Sequence, residues 1–165
     1  MLENITLAEG EKDLGEIRQE LTDTGYLRRA SKAKGREKRV SSKPMEFRST
    51  AGLRISVGKN NTQNDLLTCK QAFKSDIWFH TQKIHGSHVI LCTGGTEPDR
   101  RSIEELLRWP PTILRAGRRQ GTGGLYPGEI REKPAGGKPG MVVYTTYQTI
   151  YAVPDEALAR RLSVK

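Results

Sequence analysis

A chain of 165 residues holds one modest domain with extensions. Only 35% of it is hydrophobic while 28% is charged, so part of the length is expected to be solvated rather than buried. The net charge of +9 points to a polyanionic partner, nucleic acid ahead of an anionic membrane, and no apolar run approaches the ~20 residues that would span a bilayer.

The chain opens on a helical pattern over residues 2–27. Leu7, Leu14 and Leu21 fall seven apart with Ile17 between them, and acids cover the other faces. The pattern predicts the end of a coiled coil, residues 1–27, closed by Gly25 as a C-cap. An ordinary amphipathic helix packed on its own domain fits the same spacing. The first residues lack the basic and apolar regions of a signal peptide, so the protein is expected to be cytoplasmic. Residues 28–44 read as a basic linker, with Arg28, Arg29, Lys32, Lys34, Arg36, Lys38, Arg39 and Lys43 against the single acid Glu37.

The globular part is placed at residues 45–165. Met45 to Ser49 and Leu53 to Val57 form a predicted hairpin around Thr50-Ala51-Gly52. Asn61 or Thr62 is expected to cap a short helix through Ala72, with Leu66, Leu67 and Cys69 toward the core. Ile77 to Thr81 and His88 to Cys92 read as buried strands. A helix is predicted over Glu97 to Leu107, stopping before Pro110-Pro111. From there to Gly140 glycine and proline break the pattern, and a loop of that length is unusual inside a compact domain. Met141 to Tyr144 and Thr149 to Val153 are expected to pair as antiparallel strands, followed by a short helix from Pro154-Asp155 to about Leu162. The fold class is therefore α+β: a small antiparallel sheet with flanking helices, preceded by the coiled-coil end and the basic linker.

The chemistry concentrates between Val57 and Cys92, which holds all three histidines and both cysteines. His80, His85, His88 and Cys92 are legitimate zinc ligands, but their spacing matches no known finger or hydrolase, so neither a metal nor a cofactor is expected. The two cysteines are expected as buried thiols in a reducing compartment. Nucleophilic catalysis by Ser87 with His88 lacks an orienting carboxylate and an oxyanion hole, although Asp76 could orient His80 or His85. Nucleic-acid recognition uses more of the stretch. Amides at Asn60, Asn61, Gln63 and Asn64 can read base edges or ribose hydroxyls. Lys59, Lys70, Lys74 and Lys83 can neutralise phosphates, while Trp78, Phe79 and the histidines can stack on bases. Asn61, Gln63, Asn64 and Asp65 are placed at the surface, Ile77, Val89, Ile90 and Leu91 in the core, and at most one of Trp78 and Phe79 fully in the core.

Lys59-Asn60-Asn61-x-Gln63-Asn64-Asp65, then Asp76-Ile77-Trp78-Phe79-His80 and Gly86-Ser87-His88-Val89, resemble the RNA-binding domain of the NFACT family. Gly137-Lys138-Pro139-Gly140-Met141-Val142-Val143-Tyr144 and Val153-Pro154-Asp155-Glu156 extend the resemblance, as do the acidic helix, the basic linker and the Phe47-Arg48-Ser49 strand entry. The resemblance covers most of the chain. It implies a role in ribosome-associated quality control, with RNA as partner: tRNA and the large ribosomal subunit. It implies RNA binding rather than catalysis, with no small-molecule substrate and no membrane. The RNA-binding residues it implies are Lys59, Asn60, Asn61, Gln63, Asn64, Asp65, Asp76, Trp78, His80, His85, Ser87 and His88. The alternative is a small metal- or histidine-dependent hydrolase using His80, His85 and His88. Two places depart from the family pattern. His85 stands where proline is expected. Residues 107–132 replace an alanine-rich helix and a further strand, read as either a compensated frame shift or a genuine divergence.

Overall fold

The structure is a computed structural model and describes residues 5, 7–28, 42–81, 86–109, 122–126, 131–144, 148–151 and 155–163. Most of the expected basic linker, His85, Lys83, the double proline at 110–111 and much of 107–132 lie outside the described residues. The chain divides into two compact units, Met1–Lys43 and Pro44–Lys165.

In the first unit, helix α1 spans Glu11–Asp23, shorter than the expected 2–27. Thr24 is its C-cap, and Gly25 follows with φ of 83°. The amides of Gly25 and Tyr26 return to the carbonyls of Thr22 and Leu21 at 3.1 and 2.8 Å, the hydrogen-bond pair of a Schellman ending. Of the expected apolar seam, Ile17 is buried while Leu14 is exposed.

The second unit is α+β. Strands β1 (Met45–Arg48), β2 (Arg54–Val57), β3 (Ile77–Thr81), β4 (Val89–Cys92), β5 (Thr122–Tyr126) and β8 (Gln148–Tyr151) form one sheet in the order β1-β2-β4-β3-β5-β8. Every neighbouring pair in that sheet is antiparallel. Strands β6 (Arg131–Glu132) and β7 (Val143–Tyr144) make a separate two-stranded ribbon. Helix α2 (Asn61–Leu66) runs directly into a π-helical turn over Leu67–Gln71. Helix α3 spans Arg100–Leu107, and α4 spans Glu156–Leu162.

The register sorts the strand side chains into two sets. Phe47, Ile55, Leu91 and Ile77 lie in one cross-strand row, with Val57, Val89 and Phe79 on the same face. The Trp109 ring meets Phe47 edge-on at 4.8 Å, so the segment after α3 covers this face. The opposite face presents Trp78 and Ile90, and Leu67 of the π-turn packs against both. With helical segments on both faces, Trp78 and Phe79 are each 1% exposed. This corrects the expectation that only one of the two would be fully core: alternation separates their faces, but both faces are covered. Ile77, Val89, Ile90 and Leu91 are buried as expected.

Three further expectations are corrected. The glycine-rich segment is not without structure, because T-G-G-L-Y forms β5 between β3 and β8. Strands β7 and β8 do not pair with each other; β7 pairs with β6, and β8 with β5. Cys69 is exposed and Cys92 half-buried, so neither is a fully buried thiol. The π-turn buries Leu67 and Thr68 and leaves Cys69 outward.

Candidate nucleic-acid interface

Strand β2 ends at Val57, and the Gly58 amide donates to the His88 carbonyl at 3.0 Å, continuing the β2–β4 ladder by one step. The chain then turns into α2. A Cβ on Gly58 would fall 2.1 Å from Asn64 Oδ1, so only glycine lets the strand end approach the helix this closely. Asn60, not Asn61 or Thr62, is the N-cap: its Oδ1 accepts from the Gln63 amide at 2.9 Å. Gln63 Oε1 in turn accepts from the Lys59 amide at 3.0 Å. The two side chains close the turn on each other, a relative of the capping box displaced by one residue.

Asn64 carries the turn across to the next segment. Its Oδ1 accepts from the His88 amide at 3.0 Å, and its Nδ2 donates to the Gly86 carbonyl at 3.4 Å. The His88 ring is fixed through Nδ1, which lies 2.7 Å from the Thr68 hydroxyl. His88 also meets Trp78 edge-on at 5.0 Å and His80 at 5.2 Å, and His80 stacks on Trp78 at 5.4 Å with 12° between the planes. These three rings share the sheet face covered by the π-turn. His80, half-buried, is the member that reaches toward the surface.

The structure therefore divides the candidate residues. Lys59, Asn60, Gln63, Asn64, Asp76, Trp78, Ser87 and His88 are buried, whereas Asn61, Asp65 and His80 are half-buried. The expected surface position of Gln63 and Asn64 is corrected: their amides satisfy backbone groups that the turn would otherwise leave unpaired. Asp76 is corrected as well. Its carboxylate accepts from the Phe73 and Thr93 amides, each at 2.9 Å, and joins the end of the π-turn to the turn after β4. It orients neither His80 nor, among the described residues, any other histidine. His85 lies outside the described residues. Among those residues no group of three His, Cys, Asp or Glu side chains could hold a metal.

A second segment completes the surface. Gly140 has φ of 82°, and a Cβ there would lie 2.9 Å from Asn61 Oδ1, so the Gly137–Gly140 run presses directly on the start of α2. Lys133 Nζ pairs with Asp65 Oδ2 at 2.8 Å. Two runs some seventy positions apart thus meet at Asn61 with Gly140 and at Asp65 with Lys133, and Thr62 and Lys138, near them in sequence, are exposed. Sequence reasoning passed over Lys133 as a surface residue, because it sits in a glycine- and proline-broken segment without periodicity. It also passed over Phe73, which is 71% exposed between Ala72 and Lys74. Its place just after a helix that turns π is the only signal that could have found it.

No protein-family profile matches the chain. The chain is 39% identical over 148 residues to the Rqc2 homolog RqcH of Bacillus subtilis (strain 168), a match covering 87% of this chain and 25% of the relative. It is 35% identical to the Rqc2 homolog RqcH of Streptococcus suis (strain 05ZYH33), covering 99% of this chain and 29% of that protein. Among solved structures, the C-terminal of the fibronectin/fibrinogen-binding protein from Streptococcus suis superposes with a TM-score of 0.82 at 32% identity. That match covers 98% of this chain and 64% of the solved one.

The resemblance to the NFACT family is borne out over most of the chain.

The chain spans about a quarter of the length of the curated relatives it matches. Since these matches run over nearly the whole chain, the NFACT likeness takes in both the amide-rich turn and the Gly137–Gly140 run that meets it at Asn61.

Proposed function

We propose that this chain is the RNA-contacting module of a ribosome-associated quality-control factor, acting in the cytoplasm on tRNA and the rRNA of the large ribosomal subunit during rescue of stalled nascent chains. The observation that carries this reading is the junction of Asn61 with Gly140, where two separate runs meet in one lysine-bearing patch. The net charge of +9 supports a polyanionic partner. In this reading eleven of the twelve sequence-derived residues take a role, and His85 lies outside the described residues. Asn60, Gln63, Asn64, Asp76, Ser87 and His88 hold the turn, the β4 entry and the ring cluster rigid. Asn61, Asp65 and His80 face the RNA, joined by Lys133 and Lys138, with Trp78 backing His80 by stacking and Lys59 anchoring the turn. A rigid turn fits recognition, because little order remains to be imposed on binding. The role is binding rather than catalysis, and no metal, cofactor or small-molecule substrate enters it.

The test is fluorescence anisotropy of labelled tRNA against the 165-residue chain and two variants, Asn61→Ala and Lys138→Glu. Each variant is expected to bind at least about tenfold more weakly, the scale of a lost polar or phosphate contact, with an unchanged melting temperature. Wild-type affinity in both, with folds intact, overturns the assignment of this patch.

A further inference from the structure

The hairpin turn after β1 lies at the opposite end of β2 from the amide-rich turn, and a cavity of about 600 Å³ opens beside it. Arg48 of β1, Arg101 of α3 and Arg161 of α4 all line it. They come from three different elements, and the fold rather than local sequence brings them together. Among the described residues that line it, Glu105 is the one acid. That carboxylate is already engaged by Thr50, through the amide at 2.9 Å and through the hydroxyl, and lies 3.6 Å from the Arg101 Nε.

The arginines are held without being used up. Arg48 donates one N–H to the Gly52 carbonyl at 3.2 Å, and Arg161 one to Asp155 at 3.1 Å. A guanidinium carries five N–H donors in a planar fork suited to two oxygens of a phosphate. Three guanidiniums against the two carboxylates Glu105 and Asp155 leave a net positive concavity that favours an anion. Leu158 and Leu162, each 8% exposed, add an apolar part to a wall that also holds Ser49, Thr50 and Ser163. The volume falls within the range of small-molecule sites. A lone inorganic anion would leave that apolar part uncovered, whereas a nucleotide has a phosphate for the arginines and a flat base for the leucines.

We propose that this cavity is a nucleotide-phosphate site, with Arg48, Arg101 and Arg161 holding the phosphate and Leu158 and Leu162 receiving the base. It shares no residue with the patch around Asn61 and does not depend on that patch binding RNA. A free nucleotide and one unit of a single RNA strand present the same chemistry.

The test is an NMR titration of the ¹⁵N-labelled 165-residue chain with adenosine 5′-monophosphate, with adenosine, and with a single-stranded oligoadenylate. The monophosphate is expected to shift the Ser163 amide and the Nε–H signals of the three arginines, and adenosine at equal concentration to leave them in place. The double variant Arg101→Glu, Arg161→Glu should weaken monophosphate binding at least tenfold. Both side chains are mostly exposed, so the fold should survive. If it does not, Arg101→Gln alone should weaken binding about threefold. Displacement of the monophosphate by the oligonucleotide assigns the site to an RNA strand, and failure to displace it assigns the site to a free nucleotide. Unmoved arginine signals, or equal binding by the charge-altered chain, overturn the proposal. The reading of the Asn61 patch is tested separately by the Asn61 and Lys138 signals under tRNA, so either can fail alone.

Discussion

The Gln63 side chain points into the turn that carries it, accepting the Lys59 amide through Oε1 while only 2% of the residue is exposed. Removing that acceptor leaves a buried N–H without its partner, at a cost of about 1–3 kcal/mol. Gln63→Ala is therefore expected to lower the urea midpoint and, with it, the unfolding free energy by that amount, and Gln63→Glu, which keeps an acceptor oxygen, to lose less. An unchanged midpoint for Gln63→Ala contradicts the turn geometry. Gly58 is stricter still. An added methyl would overlap Asn64 Oδ1, the acceptor that holds the His88 amide, so Gly58→Ala must break that bond or move the helix. Its melting temperature should fall more than that of Gln63→Ala; an equal or smaller drop would show that the strand end has room to shift.

At the scale of elements, α3 depends on its cap. Asp99 accepts from the Ser102 amide at 2.9 Å and the Ser102 hydroxyl at 2.6 Å. The hydroxyl bond, and then the amide bond, hold its carboxyl below the ordinary carboxylate range. A carboxylate whose pKa is lower folded than unfolded adds stability above the unfolded value and loses it as pH falls through the folded value. Asp99→Ala should thus cost about 1 kcal/mol near neutrality, and the gap to wild type should close below about pH 4, the unfolded carboxyl range. A gap independent of pH would mean that the cap acts through shape alone. In the central strands, Ile90 is 2% exposed against Trp78 and Leu67, and Ile90→Ala should cost about 2–5 kcal/mol by chemical denaturation. A loss under about 1 kcal/mol, the range of surface changes, would place Ile90 outside the core.

These elements also mark what the sequence made legible. The β1–β2 hairpin, β3 and β4 stand within a residue of their expected places, because β-branched and aromatic runs between turn residues carry their own signal. Strand β5 has no such signal: T-G-G-L-Y offers little side chain to read, and its place between β3 and β8 comes from pairing across the sheet. The expected β7–β8 pair failed for the same reason, since each found a partner in the glycine-rich segment. In the candidate stretch, residue type singled out the amides but not their inward turn. An asparagine that reads a base and one that caps a helix look alike until the backbone groups around it are known, as Asn60 and Asn64 demonstrate.

On the scale of the whole chain, charge is the feature that the proposed role rests on. A net charge of +9 on 165 residues is a footprint for phosphates. No helix among the described residues is long and apolar enough to cross a membrane. In the proposed reading the surface around Asn61 meets a polyanion, and counterion release would be the thermodynamic signature. The direct measurement is the affinity of the 165-residue chain for tRNA across a series of salt concentrations. Roughly five to eight phosphate contacts predict a log–log slope of about −4 to −7, made shallower by about one unit in Lys138→Glu. A flat response, or a slope identical in wild type and variant, would contradict RNA binding at this surface.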